Sequence, residues 1–226
     1  VEVADFDNDG NLDILDVTDW GYIKIFYGDG AGNFVQGGAP ACPHNWGSGV
    51  FVPIDVNKDG LLDLLGNSSE WDYSGHNIYY FRVYLNQGGR NWSSPIYSHQ
   101  MAGWNVGIDG AGDINKDGYI DFATEDKIEG ECKLVIFWGG EDDEGNLIWE
   151  EEIIDNTGGG ISPTLAVVDI DGDSNLDLVV GGNQGFSGIR IYYGDGKGNF
   201  SKSEGLAIGR VNKIEAKGCL LYTSPS

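Results

Sequence analysis

The sequence predicts an all-β protein made of β-propeller blades, about four of them, each of four antiparallel strands. Three observations predict it. A nine-residue acidic phrase recurs four times, with starts spaced by 50, 58 and 56 residues, a period typical of propellers and other repeat arrays. Short runs rich in Val, Ile, Leu and Tyr, alternating with period two, surround the copies. Glycine supplies 37 of the 226 residues, against 6 prolines and 1 methionine, which favours many tight turns over long helices.

The copies begin at Asp5, Asp55, Asp113 and Asp169. They read Asp5-Phe6-Asp7-Asn8-Asp9-Gly10-Asn11-Leu12-Asp13, Asp55-Val56-Asn57-Lys58-Asp59-Gly60-Leu61-Leu62-Asp63, Asp113-Ile114-Asn115-Lys116-Asp117-Gly118-Tyr119-Ile120-Asp121 and Asp169-Ile170-Asp171-Gly172-Asp173-Ser174-Asn175-Leu176-Asp177. An apolar run precedes each copy at 1–4, 50–54 and 165–168, and least regularly at 106–108. A second follows at 12–15, 61–65, 119–123 and 176–180, and a third at 22–27, 78–85, 134–138 and 189–193. A Gly-rich turn then leads into a fourth short strand. Its clearest copies run from Tyr27 to Phe34 and from Tyr193 to Phe200. The copy from Leu85 to Trp92 is looser, and the third, from Trp138 to Leu147, is split by the acidic stretch Glu141-Asp142-Asp143-Glu144, read as a solvated turn. Four strands joined by tight turns make one propeller blade. The blades are expected near residues 1–45, 46–100, 101–160 and 161–216.

The two ends stand apart. Val1 opens the chain in mid-pattern, with neither a start methionine nor a signal peptide, so the chain reads as a fragment. Residues 217–226 continue nothing upstream and read as a non-native tail. Setting Cys219 aside with that tail leaves Cys42 and Cys132, for which a disulfide stays open. Aromatic residues make up 12% of the chain, which requires a packed core. A net charge of −23 argues against nucleic acid and against anionic lipid as partners. No run approaches the roughly 18 apolar residues of a membrane span.

Positions one, three, five and nine of the phrase carry Asp or Asn, and position seven can offer its carbonyl. Position six is Gly in three copies, where the chain must turn sharply. Alternate oxygens on a tight loop suit Ca²⁺, which takes six to eight oxygens at irregular angles. An all-oxygen set argues against zinc and copper. An EF-hand would add a Glu at position twelve and flanking helices. Position twelve here is Asp16, Gly66, Thr124 and Val180, and the flanks read as strands. Ordinary Asp-Gly turns without an ion are the bland alternative. Four copies, each with at least three Asp, weigh against it, because packed carboxylates repel one another.

The phrase inside a strand–loop–strand unit, followed by Tyr-Gly-Asp-Gly-x-Gly-Asn-Phe, resembles the FG-GAP/VCBS repeats of integrin-α-like propellers over residues 1 to about 216. The resemblance implies Ca²⁺ in about four loops, held between the first and second strands of each blade. It implies as ligands Asp5, Asp7, Asp9, Asn11 and Asp13; Asp55, Asn57, Asp59, Leu61 and Asp63; Asp113, Asn115, Asp117, Tyr119 and Asp121; and Asp169, Asp171, Asp173, Asn175 and Asp177. The position-seven members act through their carbonyls. Ser174 replaces Gly at position six, making the fourth loop the weakest geometrically. Propellers of this family usually have seven blades, so about four suggest part of a larger one.

Antiparallel strands put successive turns on opposite ends of a blade. The acidic loops and the Gly-rich turns therefore share one end. The other end collects Trp20, His44, Trp46, Trp71, Tyr73, His76, Trp104 and Phe186. Of these, Trp20, Trp46, Trp71, Tyr73 and Trp104 are the candidate ligand-binding residues, suited to stacking on sugar rings or to a protein partner. Filling the wedge between blades is the bland role for such rings. No catalytic pair stands out around His44, His76 and His99, and no nucleophile elbow, zinc motif or phosphate loop appears. The expected function is a calcium-binding extracellular module for adhesion, or for recognition of carbohydrate or protein, secreted or at the cell surface. A polysaccharide lyase or hydrolase on a calcium-bearing propeller, or a purely structural scaffold, are the rivals.

Overall fold

A computed structural model describes residues 1–18, 22–41, 50–71, 76–101, 110–157, 164–182 and 188–206. Every regular element among them is a strand, and the strands form four antiparallel sheets of four, the blade unit of a β-propeller. The first sheet holds β1 (Glu2–Ala4), β2 (Asp13–Val17), β3 (Ile23–Gly28) and β4 (Phe34–Gln36). The second holds β5 (Val50–Ile54), β6 (Asp63–Trp71), β7 (Asn77–Asn86) and β8 (Trp92–Met101). The third holds β9 (Gly110–Gly112), β10 (Asp121–Ile128), β11 (Glu131–Glu141) and β12 (Leu147–Asn156), and the fourth β13 (Thr164–Val168), β14 (Asp177–Gly182), β15 (Gly188–Gly194) and β16 (Phe200–Lys202). Strands pair in chain order within each sheet.

Alternation places the side chains. In β3, Ile23, Ile25 and Tyr27 are buried while Lys24 and Phe26 are only half-buried. The chain divides into two compact units, residues 1–108 with 139–149, and residues 109–138 with 150–226. In the first unit, Phe6, Leu15, Ile25 and Tyr27 pack against Phe51, Leu64 and Tyr84 of the second sheet. In the second unit, Ile114, Ala123, Leu134 and Ile136 pack against Leu165, Leu178, Val180 and Tyr192 of the fourth sheet. Each buried Val, Leu, Ile or Phe side chain among them stabilises its unit by about 1.5–3 kcal/mol.

The innermost strand of the third sheet lies at 110–112, just beyond the 106–108 run, which falls outside the described residues. Its sequence is Gly110-Ala111-Gly112, which carries no strand signal. The reason is space: a Cβ on Gly110 would sit 2.6 Å from Val167 of β13, and one on Gly112 would sit 2.7 Å from Leu176. Glycine here admits close approach rather than a turn. At the far end of this sheet, Ile128 pairs with Glu131 across a two-residue turn. Glu129 and Gly130 both have positive φ, 55° and 85°, the signature of a type I′ hairpin. In the second sheet, Pro95 sits in the outer strand β8 where the register shifts, the edge position a proline tolerates. Cys132 is a buried free thiol, and Cys42 lies outside the described residues.

Candidate metal centre

Each acidic phrase forms the loop between the first two strands of a sheet, and it is scaffolded by its own carboxylates. The position-one Asp accepts hydrogen bonds from the loop backbone. Asp5 takes the amides of Asp9 (3.1 Å) and Gly10 (2.8 Å), and Asp55 those of Asp59 (3.2 Å) and Gly60 (2.9 Å). Asp113 takes Gly118 N–H (3.0 Å), and Asp169 takes Gly172 (2.7 Å) and Ser174 (2.9 Å). The position-five Asp accepts the amide of position seven in all four loops, at 2.7–2.8 Å. Short polar side chains bonding their own backbone two residues on fold the loop tightly and gather its oxygens.

Position nine does different work. Asp13, Asp63, Asp121 and Asp177 are fully buried. Asp13 accepts from Phe6 N–H (2.7 Å) and Gly28 N–H (2.8 Å), and Asp63 from Val56 (3.0 Å) and Asn86 (2.8 Å). Asp177 accepts from Ile170 (2.9 Å) and Gly194 (2.8 Å), and Asp121 from Ile114 (2.8 Å). In the first, second and fourth loops one carboxylate thus ties the loop to the end of the third strand. Burial pushes Asp63 up to about 6, and pushes Asp13 and Asp177 up as well, against the lowering effect of those amides. A carboxylate kept dry with acidic neighbours is one that a cation would favour in its charged form.

Two residues in every loop have left-handed backbone. They are Asn8 (φ 59°) and Gly10 (89°), Lys58 (61°) and Gly60 (87°), Lys116 (60°) and Gly118 (97°), then Gly172 (83°) and Ser174 (72°). The fourth loop keeps the conformation and exchanges its glycine: Gly stands at position four and Ser174 bears the strain at position six.

The oxygen sets differ. One oxygen from each of Asp5, Asp7 and Asp13 lies within 4.8 Å of the others, and so does one from each of Asp169, Asp171 and Asp173. These are the two such triads among the described residues. In the second and third loops position three is Asn, and its amide donates to the position-five Asp: Asn57 to Asp59 and Asn115 to Asp117, both at 2.9 Å. Asp7 Oδ1 and Asp113 Oδ1 are buried and accept no hydrogen bond. Oxygen-only triads, with orphaned carboxylate oxygens in the first and third loops, fit a hard divalent ion.

The turns between third and fourth strands lie beside these loops. Asp29 accepts from the amides of Ala31 and Asn33 and from the Asn33 side chain. Asp195 does the same with Lys197 and Asn199. Asp142, within the acidic stretch expected to be a solvated turn, makes the matching clasp with Glu144 and Asn146. Its carboxyl is held below the ordinary range by Asn146, as Asp29 is by Asn33 and Asp195 by Asn199. That stretch is therefore a turn with a defined clasp, legible in hindsight from the Asp-x₃-Asn spacing. Sequence reasoning also passed over Arg90. Its Nε and Nη2 donate to Asp7 Oδ2 at 2.8 and 2.7 Å, and its guanidinium lies 4.3 Å from the Tyr27 ring centroid.

Of the candidate ligand-binding aromatics, Trp20, Trp46, Tyr73 and Trp104 lie outside the described residues, as do His44 and Phe186. Trp71 ends β6, paired in register with Asn77. His99 lies within β8, opposite Phe81, and His76 immediately precedes β7.

Residues 5–66 match the FG-GAP-like repeat family. Over 137 residues, 57% of the chain, the sequence is 29% identical to integrin alpha-6 of Gallus gallus, covering 12% of that protein. It is 32% identical to integrin alpha-7 of Homo sapiens and 28% identical to that of Mus musculus over 141 residues, 56% of the chain and 11% of each relative. The chain thus spans about a tenth of the length of these curated relatives.

Proposed function

We propose that this chain, an FG-GAP integrin-like repeat segment, is a calcium-stabilised propeller module of an extracellular adhesion protein. The observation that carries the reading is the acidic loop, built four times with the same backbone and with carboxylate triads in the first and fourth copies. Asp5, Asp7, Asp9 and Asp13, with the Asn11 carbonyl, would hold the first ion. The second, third and fourth loops would use Asp55, Asn57, Asp59, Leu61 and Asp63; Asp113, Asn115, Asp117, Tyr119 and Asp121; and Asp169, Asp171, Asp173, Asn175 and Asp177. The ion supplies positive charge that lets clustered acids stay ionised. The chain fixes the oxygens through its loop amides.

Similarity to integrin alpha chains supports adhesion and an extracellular setting, where calcium is abundant enough to fill sites with dissociation constants of about 10⁻⁴–10⁻³ M. The blades near 1–45, 46–100, 101–160 and 161–216 would then belong to a larger propeller. Apolar side chains left exposed on the first sheet support this, among them Val3, Phe34 and Val35. The partner proposed is an extracellular protein, met at the end opposite the acidic loops.

The test is calorimetry with millimolar calcium and with chelator, beside binding to arrayed extracellular proteins and glycans. A ligand of the native state must raise its melting temperature, so the expected result is a rise of several degrees with calcium and calcium-dependent capture of a protein. An unchanged melting curve overturns the calcium reading. Binding to glycans alone turns the partner into a carbohydrate.

A further inference from the structure

The first loop carries four carboxylates, Asp5, Asp7, Asp9 and Asp13, where the second and third carry three, with Asn57 and Asn115 at position three. The additional acid is met by a cation from the neighbouring sheet. Arg90 lies in the turn between β7 and β8, with left-handed backbone (φ 65°). It spends both its Nε and Nη2 on one oxygen, Asp7 Oδ2, and lies over Tyr27, while Asp7 Oδ1 stays buried and unpartnered. The Asp7 side chain is only 8% exposed. The turn is seated there by a second contact, since Asn86 Nδ2 donates to Phe6 O at 2.7 Å, inside the first loop.

The second unit contains the matching junction with neutral residues at these three positions, while Lys116 of the third loop reaches across it to Asn175 Oδ1 at 2.7 Å. Gly198 matches Arg90 in the turn sequence and also has positive φ, 86°. A Cβ on Gly198 would lie 3.5 Å from Trp138 and 3.9 Å from the Asn115 Cβ. Trp138 matches Tyr27 and Asn115 matches Asp7. An acid at position three is faced by arginine, and an amide at position three is faced by glycine.

We propose that Arg90 is a resident counter-ion of the first loop, a positioning residue that sets its affinity for divalent cations and couples occupancy of that loop to the junction with the second sheet. This rests on the calcium reading above. With Arg90 counted against its four carboxylates the first loop carries −3, beside −2 in the second and third loops, where Lys58 and Lys116 offset one of three carboxylates. The guanidinium and a divalent ion compete for one carboxylate, so each weakens the other by the same factor. A unit charge several ångströms from a divalent ion, near solvent, changes its affinity by about tenfold.

The four loops can be read separately in the full chain by ¹H–¹⁵N NMR. The amides of Gly10, Gly60, Gly118 and Gly172 each donate to the position-one Asp of their own loop. Calcium is titrated into wild type, Arg90→Met, Arg90→Gln and Arg90→Lys. Expected is a Gly10 midpoint about tenfold lower in Arg90→Met and Arg90→Gln, an unmoved midpoint in Arg90→Lys, and unmoved Gly60, Gly118 and Gly172 midpoints throughout. A Gly10 midpoint that stays put or rises in both neutral variants overturns the counter-ion role while leaving calcium binding intact. If no glycine amide shifts in any protein, the calcium reading falls and this inference falls with it. Should the neutral variants not fold, the wild-type Arg90 Nε–H resonance reports instead. It donates to Asp7 Oδ2, so it must move as calcium passes the Gly10 midpoint; a resonance unmoved at saturation overturns the role.

Discussion

The first and fourth repeats are one kind of blade, and the second and third are another. In the first and fourth, position three is Asp, position seven is Asn and the outer strand has three residues. In the second and third, position three is Asn, position four is Lys, position seven is Leu or Tyr and the outer strand has ten residues. The difference is one correlated packing solution. A Cβ on Gly30 would lie 2.4 Å from Asn11 Oδ1, and one on Gly196 would lie 2.4 Å from Asn175 Oδ1. The position-seven asparagine occupies the space that the turn glycine vacates, so the loop and the turn specify each other. In the second sheet the matching glycine, Gly88, has only Leu61 nearby, 3.6 Å from a built Cβ. What both kinds keep is the position-nine carboxylate and the two left-handed residues of the loop. The shared geometry belongs to the backbone of the acidic loop and its position-nine carboxylate, and the variation falls at positions three, four and seven and in the outer strand.

The widest test of this division is the position-nine acid, which should not respect it. Asp63→Ala strips partners from two buried amides, Val56 and Asn86, and is expected to cost roughly 2–5 kcal/mol by urea denaturation in chelator. Asp13→Ala and Asp177→Ala should cost as much. Losses confined to one pair of repeats would break the claim of a shared clasp. Next in size, Gly30→Ala and Gly196→Ala combine positive φ with displacement of the asparagine, for about 2–3 kcal/mol. Gly88→Ala carries the backbone term alone, about 1 kcal/mol. Adding Asn11→Ala to Gly30→Ala should recover part of the loss, and equal costs at Gly30 and Gly88 would erase the distinction. The smallest effect separates the first and fourth loops from each other. Ser174→Gly should stabilise by about 0.5–1 kcal/mol, relieving left-handed strain on a residue with a Cβ. Gly60→Ser should cost a similar amount, and a destabilised Ser174→Gly would mean that the serine is held by something other than its backbone.

The repeat, the strands and the turns were legible because each rests on local chemistry. Alternation marks β3, an apolar and aromatic run marks β7, and Asp-x-Asp-x-Asp-Gly marks a loop whose carboxylates bond its own amides. The innermost strand of the third sheet was not legible in Gly110-Ala111-Gly112, because the pressure that selects glycine there comes from Val167 and Leu176, far away in sequence. Arg90 was missed for the same reason: its partner Asp7 lies 83 residues earlier. Asp142 was discounted because acidic neighbours hid its spacing to Asn146. Local periodicity exposes what a segment does to itself, while contacts between sheets need the fold.

One consequence follows from strand length in the first unit. β2 and β6 both start at a position-nine Asp, yet β2 stops after five residues, where Thr18 N–H closes onto Tyr22 O, and β6 runs for nine. Four additional residues at about 3.3 Å each lift the second sheet by roughly 13 Å at the end remote from the acids. Among the described residues, β2 therefore ends low, at Val17, and β6 ends high, at Trp71.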